Sequence, residues 1–158
     1  MEERRQRHPD IRTAIIKYCD YQERCHQEVR NKLFELCAYT SEVEQYIATL
    51  IEENLLNEER YACAVARGRF RLKKWGRVKI MQYLKLHKIS AYCIKRALKE
   101  IDGDEYDKTV TRLAEHKWEE LKGERNIHVK KGKVLRFLQQ KGFENDLAYT
   151  VVNTLATA

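Results

Sequence analysis

VKIMQYLKLHKISAYCIKRALKEI, residues 78 to 101, decides how the chain is read. Ile80, Tyr83 and Leu84 fall at helical spacing, and beyond Ser90 the residues Ile94, Ala97, Leu98 and Ile101 follow at i, i+3, i+4 and i+7. Such recurrence marks one face of an amphipathic helix, so two helices meet at Ser90. The same apolar template lies 51 positions earlier, as Val29, Leu33, Val43, Tyr46, Ile47 and Leu50. It lies again 54 positions later, as Val134, Phe137, Leu138, Ala148, Val151, Val152 and Leu155.

Each copy is preceded by one more helical pattern: Ile11, Ala14, Ile15 and Tyr18, then Tyr61, Ala62 and Val65, then Tyr106, Val110 and Leu113. The expectation is an all-α chain of three tandem three-helix repeats, each leaning on its neighbour, with an elongated, curved outline. The repeats divide as residues 1–56, 57–102 and 103–158. Start signals agree: Ser41-x-x-Glu44 reads as a capping box, Asn57 precedes Glu58 and Glu59, and Asp104 with Glu105 opens the third unit.

Composition supports helices and a soluble chain. One proline and six glycines in 158 residues leave little turn chemistry for an all-β fold. Hydrophobic residues make up 43% and charged ones 35%, and no run approaches the length of a membrane span. The start MEERRQRHPD lacks the apolar core of a secretory signal, so a cytoplasmic protein is expected. Cys19, Cys25, Cys37, Cys63 and Cys93 form no C-x-x-C pair, which suits a reducing compartment. Cys19, Cys25 and His26 lack the spacing of a zinc knuckle; buried cysteine as a small hydrophobe is the better account. No metal or cofactor is expected.

Net charge is +7, unevenly spread. Residues 1–56 hold eight basic and eleven acidic side chains, residues 57–102 thirteen and four, and residues 103–158 ten and nine. The middle repeat therefore carries a local positive field suited to one anionic partner. Its densest part is RGRFRLKKWGRVK, residues 67–79, with Arg67, Arg69, Arg71, Lys73, Lys74, Arg77 and Lys79 and no acid. Lys130, Lys131 and Lys133 lie on the corresponding helix of the third repeat, whereas Arg30 and Lys32 of the first are diluted by Glu28 and Glu35 and read as an ordinary solvated face. Trp75 is read as packing at the corner made with Gly76; Phe70 suits packing or base stacking equally. Gly68 and Gly76 are read as helix ends.

The run Leu56-Asn57-Glu58-Glu59-Arg60-Tyr61-Ala62, followed by the basic stretch, Lys74-Trp75-Gly76-Arg77-Val78-Lys79-Ile80, and then Leu84, Ile89, Ile94, Ala97 and Leu98, resembles the second repeat of the bacterial RecX regulatory proteins. Gly132, Lys133, Leu138 and Lys141-Gly142-Phe143-Glu144 resemble the third. The family more often has two aspartates at the place of Asn57 and Glu58, and proline at that of Arg77. The resemblance implies a non-enzymatic regulator that lodges in the groove of the RecA recombinase filament on DNA, restraining its ATPase, strand-exchange and coprotease activities.

The residues themselves are compatible with that. The five histidines are scattered, and neither a phosphate-binding glycine loop nor a Ser-His-acid grouping is visible. Arginine suits a partner that mixes phosphates and carboxylates, because its planar fork binds either with two hydrogen bonds. DNA binding without sequence preference is expected, by a monomer. Two other readings stay open: a sequence-independent DNA-binding module for single or double strands, and a helical adaptor for an acidic protein. A helix-turn-helix reader of base sequence suits three linked copies poorly.

Overall fold

The computed structural model describes residues 5–158, which form nine α-helices in chain order. They are α1 (Ile11–Tyr21), α2 (His26–Glu35), α3 (Thr40–Glu52), α4 (Glu58–Lys73), α5 (Arg77–Leu86), α6 (Ala91–Leu98), α7 (Gly103–Glu120), α8 (Ile127–Lys141) and α9 (Asn145–Thr157). Most starts are set by a side chain that satisfies an orphan N–H of the first turn. Asp10, Asn57, Ser90, Asp102 and Asn126 accept such bonds, from Thr13, Arg60, Cys93, Glu105 and Val129 respectively. Cys25 does the same with sulfur: its Sγ accepts from the Glu28 N–H at 3.4 Å while the Glu28 carboxylate accepts from the Cys25 N–H.

The capping box expected at Ser41 and Glu44 lies elsewhere. The helix begins at Thr40, and Glu42 accepts from the N–H of Tyr39 at 2.8 Å. Ser41 is inside the first turn, and Glu44 instead meets Arg30 at 2.9 Å. Gly68, read as a helix end, lies inside α4. That helix ends at Lys74, a left-handed residue with φ 57° whose N–H donates to Phe70, while the Trp75 N–H reaches back to Arg69. This is an αL closure, with a bond from the left-handed residue to the carbonyl four back, and with lysine where glycine is usual.

The apolar template is the core. Val29, Leu33, Ile80, Leu84, Val134 and Leu138, two from the middle helix of each triplet, have no solvent exposure at all. Two cores result rather than three. Ile11, Ile15, Cys19, Val29, Leu33, Val43, Ile47 and Leu50 close the first triplet on itself, with Leu56 beneath. The second and third triplets share one continuous core, which also receives Cys25 from the start of α2.

Side-chain size explains the packing within triplets. Ala62 and Ala66 on α4 and Ala97 on α6 are fully buried, and these two helices lie close along their length. The first triplet has isoleucines, Val43 and Leu50 in the equivalent role, and a groove of about 320 Å³ stays open between α1 and α3, bridged by Arg12 and Glu53 at 3.3 Å.

The second and third triplets are stitched backbone to backbone. The Gly76 N–H donates to the Lys141 carbonyl at 2.8 Å, and the Val78 N–H to that of Gly142 at 2.9 Å. A Cβ on Gly76 would stand 2.3 Å from the Gly142 carbonyl, and one on Gly142, at φ +92°, would stand 2.2 Å from the Lys79 Cβ. Only glycine fits at either place.

Candidate nucleic-acid interface

The C-terminal turns of α4 and the start of α5 form a corner, and the basic stretch wraps it. Phe70 faces inward, 7% exposed, its ring 5.8 Å from that of Tyr106. It is a core residue and has no face free for a base. Trp75 is half-buried against the same core and meets Tyr83 edge-on at 5.8 Å. Three cations lie over its ring: Lys79 at 4.6 Å, Arg69 at 4.9 Å and Lys73 at 5.8 Å. The tryptophan thus anchors the corner and gathers positive charge on its outer side.

The ten sequence candidates fall into three groups by what their charges meet. Arg67, Arg77 and Lys133 are ion-paired, with Glu100 at 3.0 Å, Glu144 at 3.3 Å and Glu124 at 3.5 Å. Arg69 is half-buried, donating to the Tyr83 hydroxyl at 3.2 Å and stacked over both Tyr83 and Trp75. Lys73, Lys79 and Lys130 lie over tryptophan rings, whereas Arg71, Lys74 and Lys131 do not. Among the described residues, the seven other than Arg67, Arg77 and Lys133 meet no carboxylate within 4.0 Å.

Arg77 belongs mainly to the seam between triplets. Its N–H donates to the Tyr106 hydroxyl at 3.0 Å, its guanidinium lies 3.9 Å from the centre of that ring, and the Tyr106 hydroxyl donates to Glu144 at 2.6 Å. Burial, with the Glu144 carboxylate beside it, pushes the Tyr106 phenol well above its ordinary value, so it stays a donor. The position that often carries proline in the resembling family here carries an inter-repeat clasp.

Lys130, Lys131 and Lys133 do not join the corner. They lie at the start of α8, whose other end, Lys141, touches α4; eleven residues of helix from Lys130 to Lys141 span roughly 16 Å. They make a second patch, where Lys130 lies 4.1 Å from the Trp118 ring centre and Lys117 lies 5.4 Å from that of Phe137. Glu124 is held below the usual carboxylate range by the Asn126 N–H, with Lys133 adding to it.

Lys141 was missed as a sequence candidate. Its Nζ donates to the Lys73 carbonyl at 3.3 Å, and Lys79 reaches the Gln140 carbonyl at 3.4 Å, so each lysine crosses the seam onto a helix end. Only the approach of α8 to α4 reveals that placement. Among the described residues no three His, Cys, Asp or Glu side chains are disposed to hold a metal ion. Cys19 and Cys25 are buried, and burial pushes the Cys19 thiol up to about 11. No helix of the described residues is long and apolar enough to cross a membrane.

Family models for the second and third three-helix domains of RecX match residues 57–98 and 104–152, more than half of the chain and all ten candidates. The chain belongs to the RecX family. A regulatory protein RecX from Clostridium perfringens strain 13 is 33% identical over 130 residues, covering 82% of this chain and 60% of the relative. One from Lactococcus lactis subsp. cremoris strain SK11 is 28% identical over 146 residues, covering 91% and 54%. The chain therefore spans a little over half the length of these RecX relatives. The crystal structure of RecX from Lactobacillus salivarius superposes with a TM-score of 0.83 at 24% identity, covering 94% of this chain and 96% of that one. At that identity the likeness concerns the fold, and the RecX helical repeats are shared throughout.

Proposed function

We propose that this RecX-family chain regulates a RecA recombinase filament on DNA, binding it through the basic corner and restraining its ATP hydrolysis, strand exchange and coprotease action. The observation that carries this reading is the set of seven cations with no carboxylate partner, five on the corner and two at the start of α8, within the two segments the family models match. Unpaired cations raised on a rigid support are available to phosphates, and phosphate contacts bring affinity without base sequence. Tryptophan rings hold four of them, Arg69, Lys73, Lys79 and Lys130, in place instead of stacking on bases.

Titration against single-stranded DNA and against the recombinase–DNA filament at several salt concentrations tests the reading. Tighter binding to the filament than to bare DNA, with slower DNA-dependent ATP hydrolysis, is the expected result. Replacing Arg71, Lys74 and Lys131 by Gln should lower the salt slope by about 0.7 per lost single-strand phosphate contact, with melting nearly unchanged because exposed charges contribute little to stability. Equal affinity for both targets removes the filament from the reading and leaves a DNA-binding module. Affinity for the filament with none for DNA makes the chain an adaptor for acidic protein.

A further inference from the structure

A second surface faces the joint between the first and second triplets. A groove of about 340 Å³ runs along α4 there, floored by Ala64, Val65 and Gly68. Glu23 and Glu28 stand at one end, beside Tyr61, and Arg69 and Lys73 at the other, with Leu72 on the rim. From Tyr61 to Arg69 is eight residues of α4, or about 12 Å.

Three features of this groove have no explanation inside the chain. Gly68 sits in the interior of a sixteen-residue helix, where glycine weakens the helix relative to alanine, yet a Cβ there would meet nothing within 4 Å. No internal packing requires glycine; its effect is to leave the backbone bare at the groove floor. Leu72 is 86% exposed, a large aliphatic side chain amid charges. One carboxylate oxygen of Glu23 is buried without a hydrogen-bond donor, although the other oxygen is held by Arg60.

We propose that the groove receives a helix of the recombinase subunit, with a basic side chain directed to Glu23 and Glu28 and an acidic one, two turns away, directed to Arg69 and Lys73. The proposal rests on the filament reading above and narrows it: Arg71, Lys74 and Lys79 of the outer corner take phosphates, whereas Arg69 and Lys73, which line the groove, turn to protein. Glu23 and Glu28 would repel a nucleic-acid backbone, and an apolar floor of small residues lets a helix approach closely. Charges two turns apart on the incoming helix match the 12 Å or so between the charged ends of the groove.

Gly68→Leu is the decisive variant, because it fills the groove while the open space around Gly68 leaves the fold room for it. Its melting temperature should not fall, its affinity for single-stranded DNA should stay within about twofold, and its affinity for the recombinase filament should drop at least tenfold. Leu72→Ser, at a solvent-exposed site that carries no folding risk, should lower filament affinity in the same selective way. Filament binding by both variants at the wild-type level overturns the groove proposal and leaves the regulatory reading standing. Parallel loss on bare DNA assigns the groove to nucleic acid and overturns it as well. A wild-type chain that does not bind the filament removes both readings together.

Discussion

Leu33 and Leu84 occupy matching places on the middle helices of the first and second triplets, and neither has any solvent exposure. They belong to different cores. Leu33 packs within a set confined to residues 11–56, whereas Leu84 shares its core with Val110, Leu138 and Phe143 of the third triplet. The joints differ in kind. Between the second and third triplets two glycines let backbones touch and exchange hydrogen bonds. Between the first and second the polar links are side-chain ones, Arg60 with Glu23 and Asn54, and Tyr61 with Glu28 at 3.3 Å. Repeats of one template thus differ through their joints: the second and third triplets share one core beneath both basic patches, whereas the first keeps a core of its own and contributes only Cys25 to the other.

The largest test of that contrast is truncation of the matching leucines. Leu33→Ala and Leu84→Ala should each cost about 2–5 kcal/mol, as buried leucines do. The distribution of the loss is what discriminates. Hydrogen exchange should show Leu84→Ala lowering protection throughout α4–α9, and Leu33→Ala lowering it in α1–α3 alone. A uniform loss across all nine helices from Leu33→Ala would merge the two regions into one cooperative unit.

A smaller perturbation isolates the seam. Gly76→Ala places a methyl 2.3 Å from the Gly142 backbone, which cannot swing aside as a side-chain end could. The expected cost is about 1–3 kcal/mol, typical of overpacking, with amides of α5 and α8 losing protection first. Gly68→Ala is its control, since the same methyl meets open space and should stabilise α4 by roughly 0.5–1 kcal/mol. Equal effects from both would mean that the glycines matter only through helix propensity.

The sequence carries these features unequally. Helix identity and the six central core residues were legible because a 3.6-residue period repeats three times, and errors of one copy are corrected by the others. The cap was legible where Asn57 binds its own first turn, but α7 is capped by Asp102, two residues before the Asp104 read as its opening, and the start of α3 depends on a main-chain N–H reaching Glu42, which looks no different in sequence from Glu44. The merging of two cores was not legible, because period marks which residues are buried and not against which neighbour. The same holds for charge. Arg71 and Arg77 look alike in the string; only the arrival of Glu144 and Tyr106 from 67 and 29 residues away separates a cation open to a partner from one locked in a joint.

Acid gives the smallest of the expected effects, and one that bears on the first triplet by itself. Thr13 donates to Asp10 and holds it below the usual carboxylate range; the Arg7 guanidinium, followed by the Tyr39 N–H, does the same for Glu42. A carboxylate whose folded pKa is depressed stabilises the fold fully above its unfolded value, near 4 on the usual scale, and loses that contribution as pH falls through the lower folded value. Both groups fix the entry to α1 and α3, so their loss should loosen the edge of the first triplet without touching the seam at Gly76. Amide protection at the starts of α1 and α3, taken relative to the intrinsic exchange rate at each pH, should fall as pH is taken from about 5 toward 3. Glu42→Gln, which cannot titrate, should show the lowered protection at α3 already at neutral pH and little further loss of protection with acid. An unchanged acid response at α3 in that variant would mean that the Arg7–Glu42 pair does not hold the helix start, and that the edge of the first triplet is secured by its apolar core alone.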